Sequence, residues 1–217
     1  MTITDHTQLI EALYTNGWAV VPDYLPAQAC RQLHARIDDL NAADALRLAG
    51  IGRDDQHQVN TDIRRDHIHW LYRNSQDVAD TLYLSQMESL RQDINRSLFL
   101  GLFEYEAHYA LYPPGGFYKK HYDALKGGKN RIVSTVFYLN DNWQPGDGGE
   151  LVLYEEDSDN PQNPNPMMTV APRMGTLAVF LSEDVPHEVL VANKDRRSIA
   201  GWFRCNASSA DRVDPLR

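Results

Sequence analysis

Only two cysteines, Cys30 and Cys205, occur in 217 residues. That is too few for a disulfide framework, and the scarcity fits a reducing compartment, with the cytoplasm as the default expectation. No apolar run approaches the roughly 20 residues that cross a bilayer as a helix, so no membrane partner is expected. The opening MTITDHTQLIEAL carries acids early and lacks a basic flank, which argues against a secretory signal. Net positive charge is missing too. The formal balance is −9, whereas a general nucleic-acid binder needs a basic footprint. Internal repeats and linkers are likewise absent. What is present is a globular composition, 42% hydrophobic and 24% charged, long enough for one substantial core and read as one domain over residues 1–217.

Along the chain, residues from about Asp5 to Asn16 read as an amphipathic helix with Leu9, Ile10 and Leu13 on one side and Gly17 as its left-handed cap. Trp18–Val21 is strand-like. Pro26 suits the first turn of a second helix running to about Leu46, because its missing N–H costs nothing there. Arg47–Asn60 lacks any apolar period and reads as a mobile loop. Ile63–Tyr72 follows as a strand at the tip or edge of a finger. Its His67 and His69 share a face but have no acidic partner at ligand spacing, so substrate contact or plain surface is the expectation. From Asp77 to Leu100 the recurrence of Met87, Leu90, Ile94 and Leu98 gives the strongest helix, with Gly101 offering the stop.

After Phe103 the pattern changes to short β-rich runs: EYEAHYALY, RIVSTVFYL, GELVLY, MMTVA, TLAVFL, HEVLV and SIAGWFRC. Helices and finger mainly within 1–101, then strands over about 102–207, imply an α+β protein: a sandwich or barrel of strands buttressed by helices. EEDSDNPQNPNP between two runs reads as a surface excursion.

The chemistry concentrates in LYPPGGFYKKHYD (Leu111–Asp123) and the later PHEVL. His121 and Asp123 lie two apart, so in a strand both side chains leave the same face. His187 is able to arrive from a different strand. Two histidines and one carboxylate on one side of a metal form the facial triad of non-haem Fe(II) oxygenases, which leaves positions open for reactants. Eight histidines and 21 aspartates produce roughly one His-x-Asp pair by chance, so context must carry the assignment. Around that pair runs a basic stretch, Lys119–Arg131, with Asp123 as its single acid on an otherwise acidic chain. It reads either as a solvated loop or as a positive mouth for an acidic partner.

Four motifs in order, ALYPPGGFYKKHYD, RIVSTVFYLNDNW, GDGGELVLY and VPHEVL with RRSIAGWF, together with the N-terminal helices and HIHW, supply the context. The chain resembles the Fe(II)- and 2-oxoglutarate-dependent prolyl 4-hydroxylases, in particular the bacterial relatives of the animal oxygen-sensing prolyl hydroxylases. The resemblance implies a double-stranded β-helix (a cupin-like jelly roll) with Fe(II) held by His121, Asp123 and His187 at one open end. It implies 2-oxoglutarate and O2 as cosubstrates, with ascorbate supporting activity, and succinate and CO2 as products.

An arginine should hold the distal carboxylate of 2-oxoglutarate, since its planar fork matches that group. If Trp202 faces the pocket as the family's tryptophan does, alternation puts Ser198, Ala200 and Arg196 on its face, and Arg197 on the other with Ile199 and Phe203. The family's spacing also selects Arg196. Tyr138 matches the tyrosine that binds the distal carboxylate and Tyr112 the one near the iron end, with Val136 and Leu151 as an apolar wall. His108 is expected to line the pocket rather than ligate. Gly148 and Gly149 are expected to serve a bend before GELVL. The partner implied is a protein with a loop proline, the switch loop of elongation factor Tu being the natural candidate. The same chemistry on a free amino acid, small metabolite or nucleic acid is the alternative, and a non-catalytic metal-binding jelly roll a remote one.

Overall fold

Apolar residues at three- and four-residue spacing form helices and alternating ones form strands in the computed structural model, which describes residues 5–50, 60–124, 130–156 and 165–206. In order these are α1 (Thr7–Asn16), β1 (Trp18–Val21), α2 (Ala27–Ala42), β2 (Arg47–Leu48), β3 (His67–Leu71), α3 (Val78–Leu98), β4 (Leu102–Tyr112) and β5 (Tyr118–His121). Then come β6 (Arg131–Tyr138), β7 (Leu151–Tyr154), β8 (Pro166–Val170), β9 (Leu177–Leu181), β10 (His187–Val189) and β11 (Arg196–Cys205).

α1 buries Leu9, Ile10 and Leu13, and Gly17 closes it in the left-handed conformation. α3 starts at Asp77, whose carboxylate accepts from the N–H groups of Ala79 and Asp80, satisfying two donors the helix itself cannot. Two helix ends differ from expectation. α2 stops at Ala42 rather than near Leu46, because Asp44 turns the chain at φ 51 and Arg47–Leu48 is drawn into pairing with His67 and Ile68. α3 is closed by Phe99 at φ 55, not by Gly101, which makes a second left-handed turn two residues on.

The strands form an antiparallel seven-stranded sheet, β1-β9-β6-β11-β4-β3-β2, and an antiparallel four-stranded sheet, β5-β10-β7-β8. Facing one another they make the jelly roll. The strand expected at the tip or edge of a finger is β3, the last but one of the large sheet, pairing with β4 on one side and with the two-residue β2 on the other. Within the loop expected over Arg47–Asn60, residues 51–59 lie outside the described residues, as do 157–164 of the acidic excursion and Lys126 and Lys129 of the basic run.

Side-chain alternation divides the core in two. The outer face of the large sheet, with Tyr105, Tyr109, Val133, Phe137, Ile199 and Phe203, packs against Leu33 and Ile37 of α2 and Tyr83, Met87, Leu90 and Ile94 of α3. The inner face, with Ala110, Tyr112, Tyr138, Ala178 and Phe180, packs against Leu151, Leu153 and Val189 of the small sheet. The helices thus stiffen the back of the sheet whose front carries the polar site. Met87 is fully buried in that back layer. Met87→Ala should cost about 2–5 kcal/mol of unfolding free energy in a denaturant titration, whereas Val78→Ala, at a position 72% exposed, should stay within about 0.5 kcal/mol.

Candidate active site

β5 and β10 pair antiparallel with His121 directly opposite His187, which brings two imidazoles together from distant parts of the chain. Asp123 follows β5 by two residues, and the ligand-capable atoms of His121, Asp123 and His187 all lie within 4.8 Å of one another. The carboxylate sits between the rings: Oδ1 is 3.6 Å from His121 Nε2 and Oδ2 is 3.5 Å from His187 Nε2. Both histidines present Nε2 for the same reason. Each Nδ1–H donates to a carbonyl two residues earlier, His121 to Lys119 at 2.8 Å and His187 to Val185 at 3.1 Å, which fixes the tautomer. Ser134 Oγ donates to Asp123 Oδ2 at 2.7 Å, and Ser182 Oγ lies 2.9 Å behind Ser134.

Burial pushes His187 down to about 4, with His121 acting the same way, so its imidazole is neutral near pH 7. Burial would raise Asp123, but His187 and His121 outweigh it and hold the carboxyl well below the ordinary value. A neutral imidazole and an ionised carboxylate are what a divalent cation requires. A mixed set of two imidazole nitrogens and one carboxylate suits Fe(II).

Ser134, Val136 and Tyr138 are successive inner-face positions of β6, spanning about 13 Å at roughly 3.3 Å per residue. At the Tyr138 end lies Arg196, 1% exposed. Its guanidinium carbon is 4.9 Å from the Tyr112 ring and 5.1 Å from the Tyr138 ring. Nε donates to Gly149 O at 2.7 Å and Nη1 to Ser198 Oγ at 3.2 Å. Its Nη2 and the Tyr138 hydroxyl are buried without a hydrogen-bond partner among the described residues. Two orphaned groups beside a buried cation fit an incoming carboxylate, because such groups are costly to leave unpaired. Burial raises Tyr138 to about 12, keeping it a neutral donor.

Arg197 points the other way, its Nε donating to Asp38 of α2 at 2.7 Å. Gly148 and Gly149 take φ 71 and 67 before β7, and a Cβ on Gly149 would stand 2.8 Å from Arg196 Cδ. The bend therefore also gives the arginine its room. Leu151 is buried in the inner core with Val136 packed against that core.

Trp202 and His108 occupy the inner face nearer the Ser134 end. Arg131 stacks 3.6 Å over the Trp202 ring and its Nε donates to Glu106 at 2.8 Å. Arg204 pairs with Glu104 and lies 3.7 Å from Glu106. His108 sits between Trp70 and Trp202, at ring separations of 5.2 and 5.5 Å. Burial lowers it to about 4. It is a lining residue, not a member of the metal cluster. His69 Nδ1–H donates to Ala45 O at 3.2 Å, outside that cluster.

Several site residues escaped sequence reasoning: Ser134 and Ser182 behind Asp123, the Glu104–Arg204–Glu106–Arg131 chain, and Tyr118 with Arg64 and Asp66. Alternation along RIVSTVFY offered a signal for Ser134, which shares the face of Val136 and Tyr138. The others depend on pairing between strands distant in sequence.

Comparison with known proteins agrees with this geometry. Residues 107–204 match the 2OG-Fe(II) oxygenase superfamily. A Pseudomonas putida prolyl-4-hydroxylase structure is 41% identical, covering 91% of this chain and 97% of that one at a TM-score of 0.79. A Trichoplax adhaerens prolyl hydroxylase, solved with a peptide fragment of the hypoxia inducible factor oxygen degradation domain, is 25% identical, covering 90% of this chain and 87% of that one at a TM-score of 0.75. Human Egl nine homolog 1 is 26% identical over 204 residues, 90% of this chain and 45% of the human protein. The chain spans about half the length of the curated relatives it matches.

Asp123→Ala removes the only anion of the cluster. Calorimetric titration of the metal-free protein with Fe(II) under anaerobic conditions should show affinity reduced by at least the roughly 10–100-fold typical of losing a residue that merely supports a ligand. Unchanged affinity would exclude Asp123 from the centre.

Proposed function

Because this chain belongs to the 2OG-Fe(II) oxygenases of prolyl-4-hydroxylase type, we propose that it hydroxylates a prolyl residue in a loop of a protein substrate. The observation that carries the reading is that the His121–Asp123–His187 cluster, with its histidines on the small sheet, and the buried, incompletely paired Arg196 and Tyr138 of the large sheet line the same interior between the sheets, with Phe180 between them. His121, Asp123 and His187 hold the iron. Arg196 Nη2 and the Tyr138 hydroxyl receive the distal carboxylate of 2-oxoglutarate, Tyr112 flanks the cosubstrate, and Val136 and Leu151 keep its methylenes dry. Trp202 shares this face. With iron and 2-oxoglutarate bound, the chemistry supplied is the net conversion of 2-oxoglutarate, O2 and a prolyl C–H into succinate, CO2 and hydroxyproline. Ascorbate is proposed to support it.

The chain's own residues set the conditions. Ser134 holds the Asp123 carboxylate at a fixed rotation through its hydrogen bond. The apolar wall excludes water from the cosubstrate end, where a charge-assisted pair then gains strength. Arg65, Lys119 and Lys120 are exposed beside the cluster, with Arg65 4.9 Å over the Phe117 ring. On a protein of net charge −9, this rim favours an acidic partner in one orientation and raises its rate of encounter. Elongation factor Tu, through its switch loop, remains the candidate from sequence, and the cytoplasm the proposed compartment. No helix among the described residues is long and apolar enough to cross a membrane.

The reading is tested by incubating the protein with Fe(II), 2-oxoglutarate and candidate proline-containing proteins, then locating a one-oxygen mass gain. Succinate released without any hydroxyproline across all candidates would reject the prolyl assignment.

Two substitutions separate the neighbouring arginines. Losing a buried charge-assisted pair costs about 3–5 kcal/mol. Arg196→Ala should therefore raise the 2-oxoglutarate requirement several hundredfold, with Arg197→Ala nearly silent; the opposite ranking would place the cosubstrate elsewhere. Reversal of Lys119 and Lys120 to glutamate should slow protein hydroxylation through kcat/KM at low salt, and the deficit should shrink as salt rises. Partner-independent 2-oxoglutarate decarboxylation should stay level. Equal kcat/KM at low ionic strength would remove the rim from recognition.

A further inference from the structure

The three members of the cluster are not held equally well. His187 is 5% exposed and lies on β10, between two strands of the small sheet. His121 ends β5, the edge strand of that sheet, where pairing with β10 is interrupted by a register shift. An edge strand this short has few partners to fix a side chain at its end. Something else must hold His121.

That support comes from the segment preceding β3. Lys119 N–H donates to Ile63 O at 2.9 Å and Arg65 N–H to Phe117 O at 3.0 Å, so residues 63–65 cover the open edge of β5. The side chains repeat the arrangement. Asp66, fully buried, grips Arg64 with two hydrogen bonds, Nε–Oδ1 at 2.7 Å and Nη2–Oδ2 at 2.5 Å. The guanidinium carbon of Arg64 stands 4.4 Å from the centre of the Tyr118 ring. His121 itself stacks on the same ring, 3.6 Å from Tyr118 between ring centroids and only 16° from parallel.

We infer that Arg64 is a positioning residue for the metal centre: clamped by Asp66, it holds Tyr118 flat against His121 and so fixes the imidazole whose Nε2 faces the cluster. The inference rests on the iron reading of that cluster. Its physical basis is twofold. A cation over one face of an aromatic ring is attracted to the ring's negative face, and a bidentate carboxylate leaves the guanidinium little freedom. Ring orientation of a ligating histidine is normally secured by what surrounds it. Here Nδ1 is anchored to Lys119 O, and the stack controls rotation about that anchor. It also ties the centre's edge-strand ligand to the segment that enters β3.

The test measures metal binding, with no turnover required. Metal-free full-length protein is titrated with Co(II) by calorimetry, and the Cu(II) form is examined by electron paramagnetic resonance. Tyr118→Leu keeps volume and loses the flat aromatic face. Arg64→Met with Asp66→Asn removes the clamp without leaving a buried charge unpaired. Both should raise the Co(II) dissociation constant roughly 10–100-fold and broaden the Cu(II) lines as ligand geometry spreads. Tyr118→Phe should restore wild-type affinity and line width. Wild-type affinity in either Tyr118→Leu or the double variant overturns the inference, as does Tyr118→Phe being as weak as Tyr118→Leu. His121→Ala separates the two levels: if it binds Co(II) like the wild type, the metal reading itself fails, whereas weak binding there alone rejects only the stack.

Discussion

The register of β11 is the constraint on which the site depends. β11 lies at the centre of the large sheet, paired with β4 and β6. It presents Arg196, Ser198, Ala200 and Trp202 to the inner face and Arg197, Ile199 and Phe203 to the helices. A slip of one residue would exchange the two sets. Asn140 resists that slip at the strand's start: its Oδ1 accepts from Arg197 N–H at 2.6 Å and its Nδ2 donates to Arg197 O at 3.0 Å. Asp38 then takes the Arg197 side chain on the outside. One arginine is fixed outward so that its neighbour is fixed inward.

Buried charge follows the same division. The outer face facing α2 and α3 is mainly apolar, its buried polar contacts being tyrosine hydroxyls, Tyr83 to Tyr105 and Tyr109 to Asp80. The inner face and its neighbours carry Arg196, Asp123, the Arg64–Asp66 pair and the Glu104–Arg204–Glu106–Arg131 chain. Burying such groups usually gains no stability over apolar packing, because desolvation consumes what attraction returns. Their concentration on one face, at the mouths of the sandwich, is a signature of function rather than of folding. Alternate glutamates and arginines cancel one another along the chain ending at Arg131, so that side chain is pinned over Trp202 instead of turning toward the Asp123 carboxylate it also influences.

Much of this was legible in the sequence where the information is local. The alternating runs after Phe103 each became a strand, and the stripe Met87, Leu90 and Ile94 became the buried face of α3. His121 and Asp123 announced themselves by spacing, and the choice between Arg196 and Arg197 reduced to parity along one strand. What escaped was decided between elements. α2 ends early because β2 is claimed by β3, and propensity has no view of that pairing. In the finger, His67 and His69 stand out by residue type, whereas the groups reaching the cluster's Tyr118 neighbour are Arg64 and, through it, Asp66, two apart and of opposite charge. Their meaning appears only once Tyr118 of β5 arrives to contact both Arg64 and His121.

The two sheets therefore contribute differently to the centre. The large sheet, stiffened by helices, supplies the fixed parts: Arg196 and Tyr138 at one end, and Ser134 to orient Asp123 at the other. The small sheet supplies both histidines from strands of three and four residues, one of them at an edge. Short strands and a shifted register make poor clamps. Precision there has to be imported: His187 gets it from burial against Phe180, 4.6 Å away between ring centroids, and His121 from the stack rooted in Asp66. The same segment that steadies His121 enters β3, and Arg65 within it stands on the exposed basic rim. The support of one proposed ligand and the basic rim thus rest on adjacent residues, Arg64 turned inward to Asp66 and Arg65 outward over Phe117.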